Sequence, residues 1–340
     1  MAGDRRNNRV SDPSERPTME MVAQLAGVSK ITVSRALRGS ELVRAEVRER
    51  VAQIAKDVGY RVNVAARSLR TRRSRTIAVV IEQLDRGDRP IADPLLLSMI
   101  GGLLEALTPA DYALVLTTNE HFLSAGAMGA DGVVMIGEGE GGRRLAQIEA
   151  FGLPMVAWGE PVSGVNVPVV GSANHAGGRL AAEHLIARGR SRLLFLGDDQ
   201  HPEVAARLAG CREVLASSVA MLAAVVACAF TVEAGAAAVR KVLDDGTDFD
   251  AIFAASDFIA LGACDELIAS GREIPGDLSI VGFDDAPIAG DHRPSMSSIR
   301  QDGTAAGRVL GETIVALIDG KGDCYTTQLP VELIVRESSS

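Results

Sequence analysis

The sequence predicts a small all-α module followed by a much larger α/β body built as two lobes. Apolar residues recur at helical spacing in short segments between Met19 and Val58. From Thr76 onward, short apolar runs alternate with helical segments over some 260 residues. The charge divides at the same place. The 340-residue chain carries a net charge of −9, yet residues 1–75 hold 17 Lys+Arg against 8 Asp+Glu and the remainder holds 18 against 36. A basic module on an acidic body suits a part that neutralises phosphates and a body that stays clear of them.

Residues 1–17 are polar, mixed in charge and without the apolar core of a signal peptide, so they are expected to form a disordered tail. Met19, Val22 and Leu25, then Val28, Ile31 and Val33, place apolar side chains at helical spacing on two short segments. Between them, Ala26-Gly27-Val28-Ser29 offers a glycine able to take positive φ and a serine able to N-cap the second segment. Two short helices joined by such a turn describe a helix-turn-helix, whose second helix enters the DNA major groove. On that second helix Lys30, Thr32, Ser34 and Arg35 are polar, while Val33 and Leu37 can face inward. A third helix over Arg44–Val58, closed by Gly59, completes a headpiece over residues 18–62.

Residues 63–75 form the connection. Val64–Arg70 is long enough for two helical turns, too few to hold alone in water. It is flanked by arginines and carries one large apolar residue, Leu69. That is the profile of a segment ordered on a partner, with an apolar wedge for the minor groove.

In the body, Ile77–Ile81, Ala113–Thr117, Gly132–Ile136, Pro154–Trp158, Arg192–Leu196, Ala224–Phe230, Ala251–Ala255 and Ser279–Phe283 read as buried strands. Helices are expected over Leu95–Leu107, Arg143–Phe151, Gly177–Arg188, Glu203–Ala216 and Phe258–Ser270. Such alternation means parallel sheets covered by helices, with a small-molecule site where the strands' carboxyl ends face a cleft. The 19 uncharged residues between Glu213 and Glu233 are long enough to be screened as a membrane span. They are Ala-rich, include Ser217, Ser218 and Thr231, and read instead as a helix end followed by a strand, so no membrane association is expected.

Cys211, Cys228, Cys264 and Cys324 are scattered, with no Cys-x-x-Cys and no histidine at ligand spacing. Neither structural zinc nor a disulfide framework is expected, and a reducing cytoplasm fits. The stretch Gly137–Gly142 has the spacing of a dinucleotide-binding loop, with Glu160 at the distance of its acidic partner. Glu138 and Glu140 would set negative charge where pyrophosphate must sit, so it is read as an ordinary loop. Asp198-Asp199 and Asp284-Asp285 follow apolar strands and are assigned to loops and packing rather than catalysis. No catalytic residue, metal ligand or cofactor is expected.

With these residues in view, the chain resembles the lac repressor/gal repressor (LacI/GalR) family of transcription regulators over residues 18–335. The block VAQLAGVSKITVSRAL resembles the family's signature. HLIARG, ARLAG, ASDFIALGA, PGDLSIVGFDD and SSIRQDGTAAGRVLG match motifs of its effector domain in order. The resemblance implies a small all-α helix-turn-helix headpiece plus an α/β two-lobed periplasmic-binding-protein-like domain over residues 76–340. Lobe 1 would take about 76–173 plus 303–332, and lobe 2 about 174–300.

It also implies roles. Lys30, Ile31 and Arg35 would meet base edges, with Ser29, Thr32 and Ser34 beside phosphates. Asn63, Ala66 and Leu69 would belong to a hinge helix in the minor groove. Ile31 either touches a thymine methyl or packs inward. Arg207, Asp257 and Gln301 would reach into the cleft. Trp158 either stacks on a sugar face or belongs to the lobe core, and Phe258 is a second stacking candidate. Four features depart from the family pattern: Val62 for a common Pro, Ala173 for a frequent Asp, Arg190 for a common His, and a shortened segment over Asn119–Asp131.

The expectation is therefore a cytoplasmic, homodimeric repressor that binds a near-palindromic double-stranded operator and is controlled allosterically by a sugar or related metabolite. The rival readings are a solute-binding protein with no DNA role, and a nucleotide-dependent enzyme built on the glycine-rich loop.

Overall fold

The computed structural model describes residues 17–60, 73–81, 92–125, 129–137, 142–161, 164, 166–322 and 325–340. The chain separates into two compact units, Met1–Ser74 and Arg75–Ser340. The expected tail and the hinge positions Asn63, Ala66 and Leu69 lie outside the described residues, as does most of the glycine-rich loop.

In the first unit, helix α1 (Met19–Ala26) is capped by Thr18, whose side chain accepts from the Met21 N–H, and ends on Gly27 at φ +65°. Helix α2 (Lys30–Ala36) starts on Ser29, whose hydroxyl accepts from the Thr32 N–H at 3.1 Å. Helix α3 (Ala45–Asp57) follows, and Gly59 takes φ +70°. Val22, Ala23, Ala26, Val33, Ala36, Val43, Val51 and Ala55 form the core. The expected apolar positions Leu25 and Ile31 lie instead on the surface, 58% and 65% exposed. The small side chains of Ala23, Ala26 and Ala36 fill the inner faces and let three short helices approach, leaving no room there for the larger pair.

The second unit holds twelve strands among the described residues. They are β1 (Thr76–Ile81), β2 (Ala113–Thr118), β3 (Gly132–Ile136), β4 (Met155–Trp158), β5 (Val169–Ser172), β6 (Arg192–Leu196), β7 (Met221–Val226), β8 (Ala251–Ala254), β9 (Ser279–Asp284), β10 (Ser297–Arg300), β11 (Thr327–Leu329) and β12 (Glu332–Ile334). One sheet runs β11-β5-β4-β3-β1-β2, the other β12-β10-β9-β8-β6-β7. Among the described residues every pairing is parallel except β10 with β12. Central strands such as β3 and β9 are buried throughout, which is why they read as unbroken apolar runs. The run expected as a strand over 224–230 is displaced: β7 spans Met221–Val226 as a partly exposed edge strand, and Thr231 caps the next helix.

The helices are α4 (Pro94–Leu107), α5 (Asn119–Ser124), α6 (Arg143–Glu149), α7 (Asn174–Ala187), α8 (Pro202–Ala216), α9 (Val232–Asp244), α10 (Asp257–Ala269), α11 (Pro287–Asp291) and α12 (Gly303–Ile318). Among the described residues, the shortened segment Asn119–Asp131 carries the short helix α5. No helix among the described residues is long and apolar enough to cross a membrane. The chain passes between the sheets three times: from β5 to α7, from β10 to α12, and from β11 to β12.

Three helix pairs lock through facing glycines. Gly178 of α7 meets the Arg207 carbonyl of α8, and Gly210 of α8 meets the His175 carbonyl of α7. The same reciprocal contact joins α9 to α10 through Gly235 and Gly262, and α4 to α12 through Gly102 and Gly307. A methyl at any of these sites must push backbone aside. Gly178→Ala is expected to lower the stability of the second unit by about 1–3 kcal/mol, read by urea denaturation. An unchanged midpoint would mean that the pair slides apart freely.

Candidate nucleic-acid interface and effector site

Helix α2 turns Val33 and Ala36 into the core, which fixes what the opposite face presents. Lys30, Ile31 and Arg35 are exposed, and Thr32 and Ser34 are half-buried beside them. Ile31 therefore projects outward rather than packing inside. Ser29 is engaged as the helix cap, its Oγ 2.9 Å from Thr32 Oγ1. The Lys30 ammonium lies 2.6 Å from the Glu20 carboxylate of α1. This face offers a cationic fork at Arg35, an apolar branch at Ile31 and hydroxyls at its margin, the side-chain types that read base edges and phosphates.

In the second unit, polar groups gather where the carboxyl ends of both sheets meet the crossings. Arg207, only 2% exposed, lies in α8 with its guanidinium 3.6 Å over the Phe283 ring. It donates from Nε to Asn174 Oδ1 at 2.9 Å and from a terminal nitrogen to the Ala255 carbonyl at 2.5 Å. Asn174, at the start of α7, in turn donates to Glu160 Oε1 at 2.7 Å. Glu160 follows β4, so this bonded chain runs from one lobe to the other. Burial raises the Glu160 pKa, while the Asn174 hydrogen bond opposes the shift.

Gln301 occupies the crossing from β10 to α12 and donates to Asp284 Oδ1 at 2.5 Å. Asp284 closes β9 with φ +105°, a conformation that side chains other than glycine rarely adopt. Strain of that kind collects at ligand sites. Sequence reasoning assigned Asp284 to loops and packing, weighed Glu160 only as the acidic partner of a dinucleotide-binding loop, and gave Asn174 no role. Their common signal is position at a strand's carboxyl end or two residues past it. Asp285 does serve packing: it pairs with Arg300 and Arg336, each at 2.6 Å. Arg190, at the common histidine position, braces a loop through the Ser279 hydroxyl and the Asp277 carbonyl.

Asp257 requires a correction. It is fully buried, with Oδ1 accepting from the Ser298 hydroxyl at 2.6 Å and Oδ2 from the Ala286 N–H at 2.7 Å. Its carboxylate is thus turned into lobe 2 and presents no surface to a ligand, because the α10 start on which it sits packs against β9 and β10. Burial, followed by the negative charge of Asp284, pushes its pKa well up. Trp158 is half-buried and packs on the lobe 1 core at the end of β4, and Phe258 is half-buried on α10.

A carboxyl group with a raised folded pKa adds stability that is present at low pH and is lost as pH rises through that pKa. Asp257→Asn keeps the shape and cannot ionise. It is expected to be more stable than the parent at about pH 8, with the gap closing toward about pH 5, in paired urea denaturations. A gap that ignores pH would show that folding leaves the ionisation of this carboxyl group unshifted.

Residues 18–63 match the family described as bacterial regulatory proteins, lacI family, and residues 182–339 match the periplasmic binding protein-like domain. The chain is 36% identical to the HTH-type transcriptional regulator CelR of Thermobifida fusca, over 95% of this chain and 98% of that one. The chain belongs to the lacI family. It is 32% identical to the regulator GntR of Pseudomonas aeruginosa, over 98% of this chain and 99% of that one. The structure of a CelR–cellobiose complex superposes with TM-score 0.72 at 33% identity, covering 95% of this chain and all of that one. A lac repressor dimer bound to operator and an anti-inducer superposes with TM-score 0.84 over 96% of this chain, at 23% identity, and shares the fold. The protein is accordingly a DNA-binding transcription regulator, with a helix-turn-helix headpiece and a two-lobed effector domain, and not an enzyme.

Proposed function

We propose that this lacI-family regulator is a cytoplasmic homodimeric repressor whose hold on a near-palindromic operator is set by a sugar bound between its lobes. The observation that carries the reading is the bonded chain Glu160–Asn174–Arg207, with Arg207 stacked on Phe283, together with the Gln301–Asp284 pair beside Phe283 at the end of β9. Carboxylates, amides and a guanidinium in one place match a ligand that presents hydroxyls on every side. Trp158 and Phe258 supply apolar faces for the sugar ring, and Asp257 acts from behind by holding Ser298 and the 284–286 turn. The cellobiose found with CelR makes cellobiose the first effector to try.

At the other end, Lys30, Ile31 and Arg35 read each half-site while Ser29, Thr32 and Ser34 lie along phosphates. Asn63, Ala66 and Leu69 fold in the minor groove at its centre. The effector biases that step by favouring one arrangement of the lobes. The test is selection of bound sequences from random double-stranded DNA, followed by titration of the recovered site with cellobiose and related sugars. An inverted repeat whose occupancy shifts with one sugar supports the reading. Recovery of no preferred sequence, or a site indifferent to every sugar bound, overturns it.

A further inference from the structure

Glu20 is a negative charge on the face the headpiece would turn toward a polyanion. It stands in the first turn of α1, and its carboxylate reaches the Lys30 ammonium at 2.6 Å. Both side chains are more than half exposed, 71% for Glu20 and 54% for Lys30. An ion pair that open to water contributes little to stability. Its effect on a DNA surface is larger. A carboxylate beside a phosphate is repelled, and a lysine held by a carboxylate gives up part of its non-specific attraction.

We propose that Glu20 and Lys30 act as one unit that reads a single G·C base pair. In the major groove guanine presents O6 and N7 as acceptors, and its partner cytosine presents the N4 amine as a donor. Guanine O6 and cytosine N4 are themselves hydrogen bonded, so they lie about 2.9 Å apart. The ammonium and carboxylate are 2.6 Å apart, the same spacing with the opposite polarity. Lys30 donates to guanine while Glu20 accepts from cytosine. A thymine–adenine pair repeats the central acceptor and donor as thymine O4 and adenine N6, so the flanking groups decide: the ammonium meets a methyl where guanine offers N7 as a second acceptor, and the carboxylate is flanked by the adenine N7 acceptor. Lys30 is the first residue of α2, directly after the Ser29 cap, so its backbone is fixed where recognition helices contact bases. Ile31, 65% exposed next to it, covers an adjacent thymine methyl.

This inference rests on the DNA-reading role of α2 proposed above, and the test separates the two. Full-length parent, Glu20→Ala, Glu20→Gln, Lys30→Ala and the Glu20→Ala/Lys30→Ala double variant are each put through selection from random DNA and then titrated on the recovered site. The expected result is one G·C position per half-site that Lys30→Ala and both Glu20 variants relax. Discrimination there should fall by roughly five- to hundred-fold. The double variant should lose no more than the larger single loss, because the two groups work together. Glu20→Ala should also bind unrelated DNA more tightly. Its salt slope should steepen by about one for each headpiece as Lys30 turns to a phosphate. A merely structural Glu20 would move none of these preferences. Should both Glu20 variants keep the parent's preference at the position Lys30→Ala relaxes, the pair reading is overturned while α2 still reads DNA. Should the parent select no sequence at all, the regulator reading falls and this one with it.

Discussion

Arg207→Ala is expected to abolish effector control while operator binding by the headpiece persists. The guanidinium is fixed before any ligand arrives, by the Phe283 ring on one side and by Asn174 and the Ala255 carbonyl in its plane. A preset fork loses little freedom when it meets hydroxyls, so its contribution falls mainly on affinity. Each charged hydrogen bond lost costs about 1.5–3 kcal/mol, roughly ten- to hundred-fold in affinity. The substitution also strips the donors from Asn174 and the Ala255 carbonyl, and the second unit should lose about 2–4 kcal/mol of stability. Arg207→Lys separates the two effects: it keeps the charge and part of the volume but cannot both stack and fork. It should fold well and still bind effector poorly. Fluorescence of Trp158, the one tryptophan, reports the titration. A folded alanine variant with the parent's effector affinity would remove Arg207 from the site.

Legibility in the sequence followed the range of the interactions. The turn between α1 and α2 rests on contacts within three or four residues: Gly27 at positive φ and the Ser29 cap on Thr32. Both are rules of local chemistry and could be read directly. The buried strands were equally plain, because burial on two faces leaves an unbroken apolar run. Edge strands blur that signal, and the strand expected over 224–230 was accordingly displaced from β7. Which acidic residue faces the lobe junction was not legible. Asp257 and Asp284 both stand at strand ends, and the choice depends on two long-range facts. The α10 start is packed against Ser298 and Ala286, and the backbone turns to positive φ at Asp284 and Asp285. The Glu160–Asn174–Arg207 chain has the same origin, joining residues from three elements that only the fold brings together. Ile31 shows the limit at short range, since periodicity placed it equally well on either side of α2. The alanines of the headpiece core decided the matter.

The second large effect is expected at Arg35. On α2 its guanidinium is exposed, on the face opposite Val33 and Ala36, where it can meet guanine O6 and N7 with two parallel hydrogen bonds. One such contact is worth about 1–3 kcal/mol of discrimination. A dimer makes it twice, so Arg35→Ala should weaken operator binding by about 2–6 kcal/mol, from roughly thirty-fold to more than ten-thousand-fold. Arg35→Lys is the sharper comparison. Lysine keeps the attraction to phosphates and loses the fork, so affinity for unrelated DNA should hold while preference for the operator collapses. The two substitutions should therefore differ in salt dependence yet agree in lost specificity. Neither should alter sugar affinity, because the headpiece and the effector domain are separate compact units with their own cores. Equal losses on operator and unrelated DNA would reduce Arg35 to a phosphate contact. The burden of reading the operator would then pass to Ile31 and the Glu20–Lys30 pair.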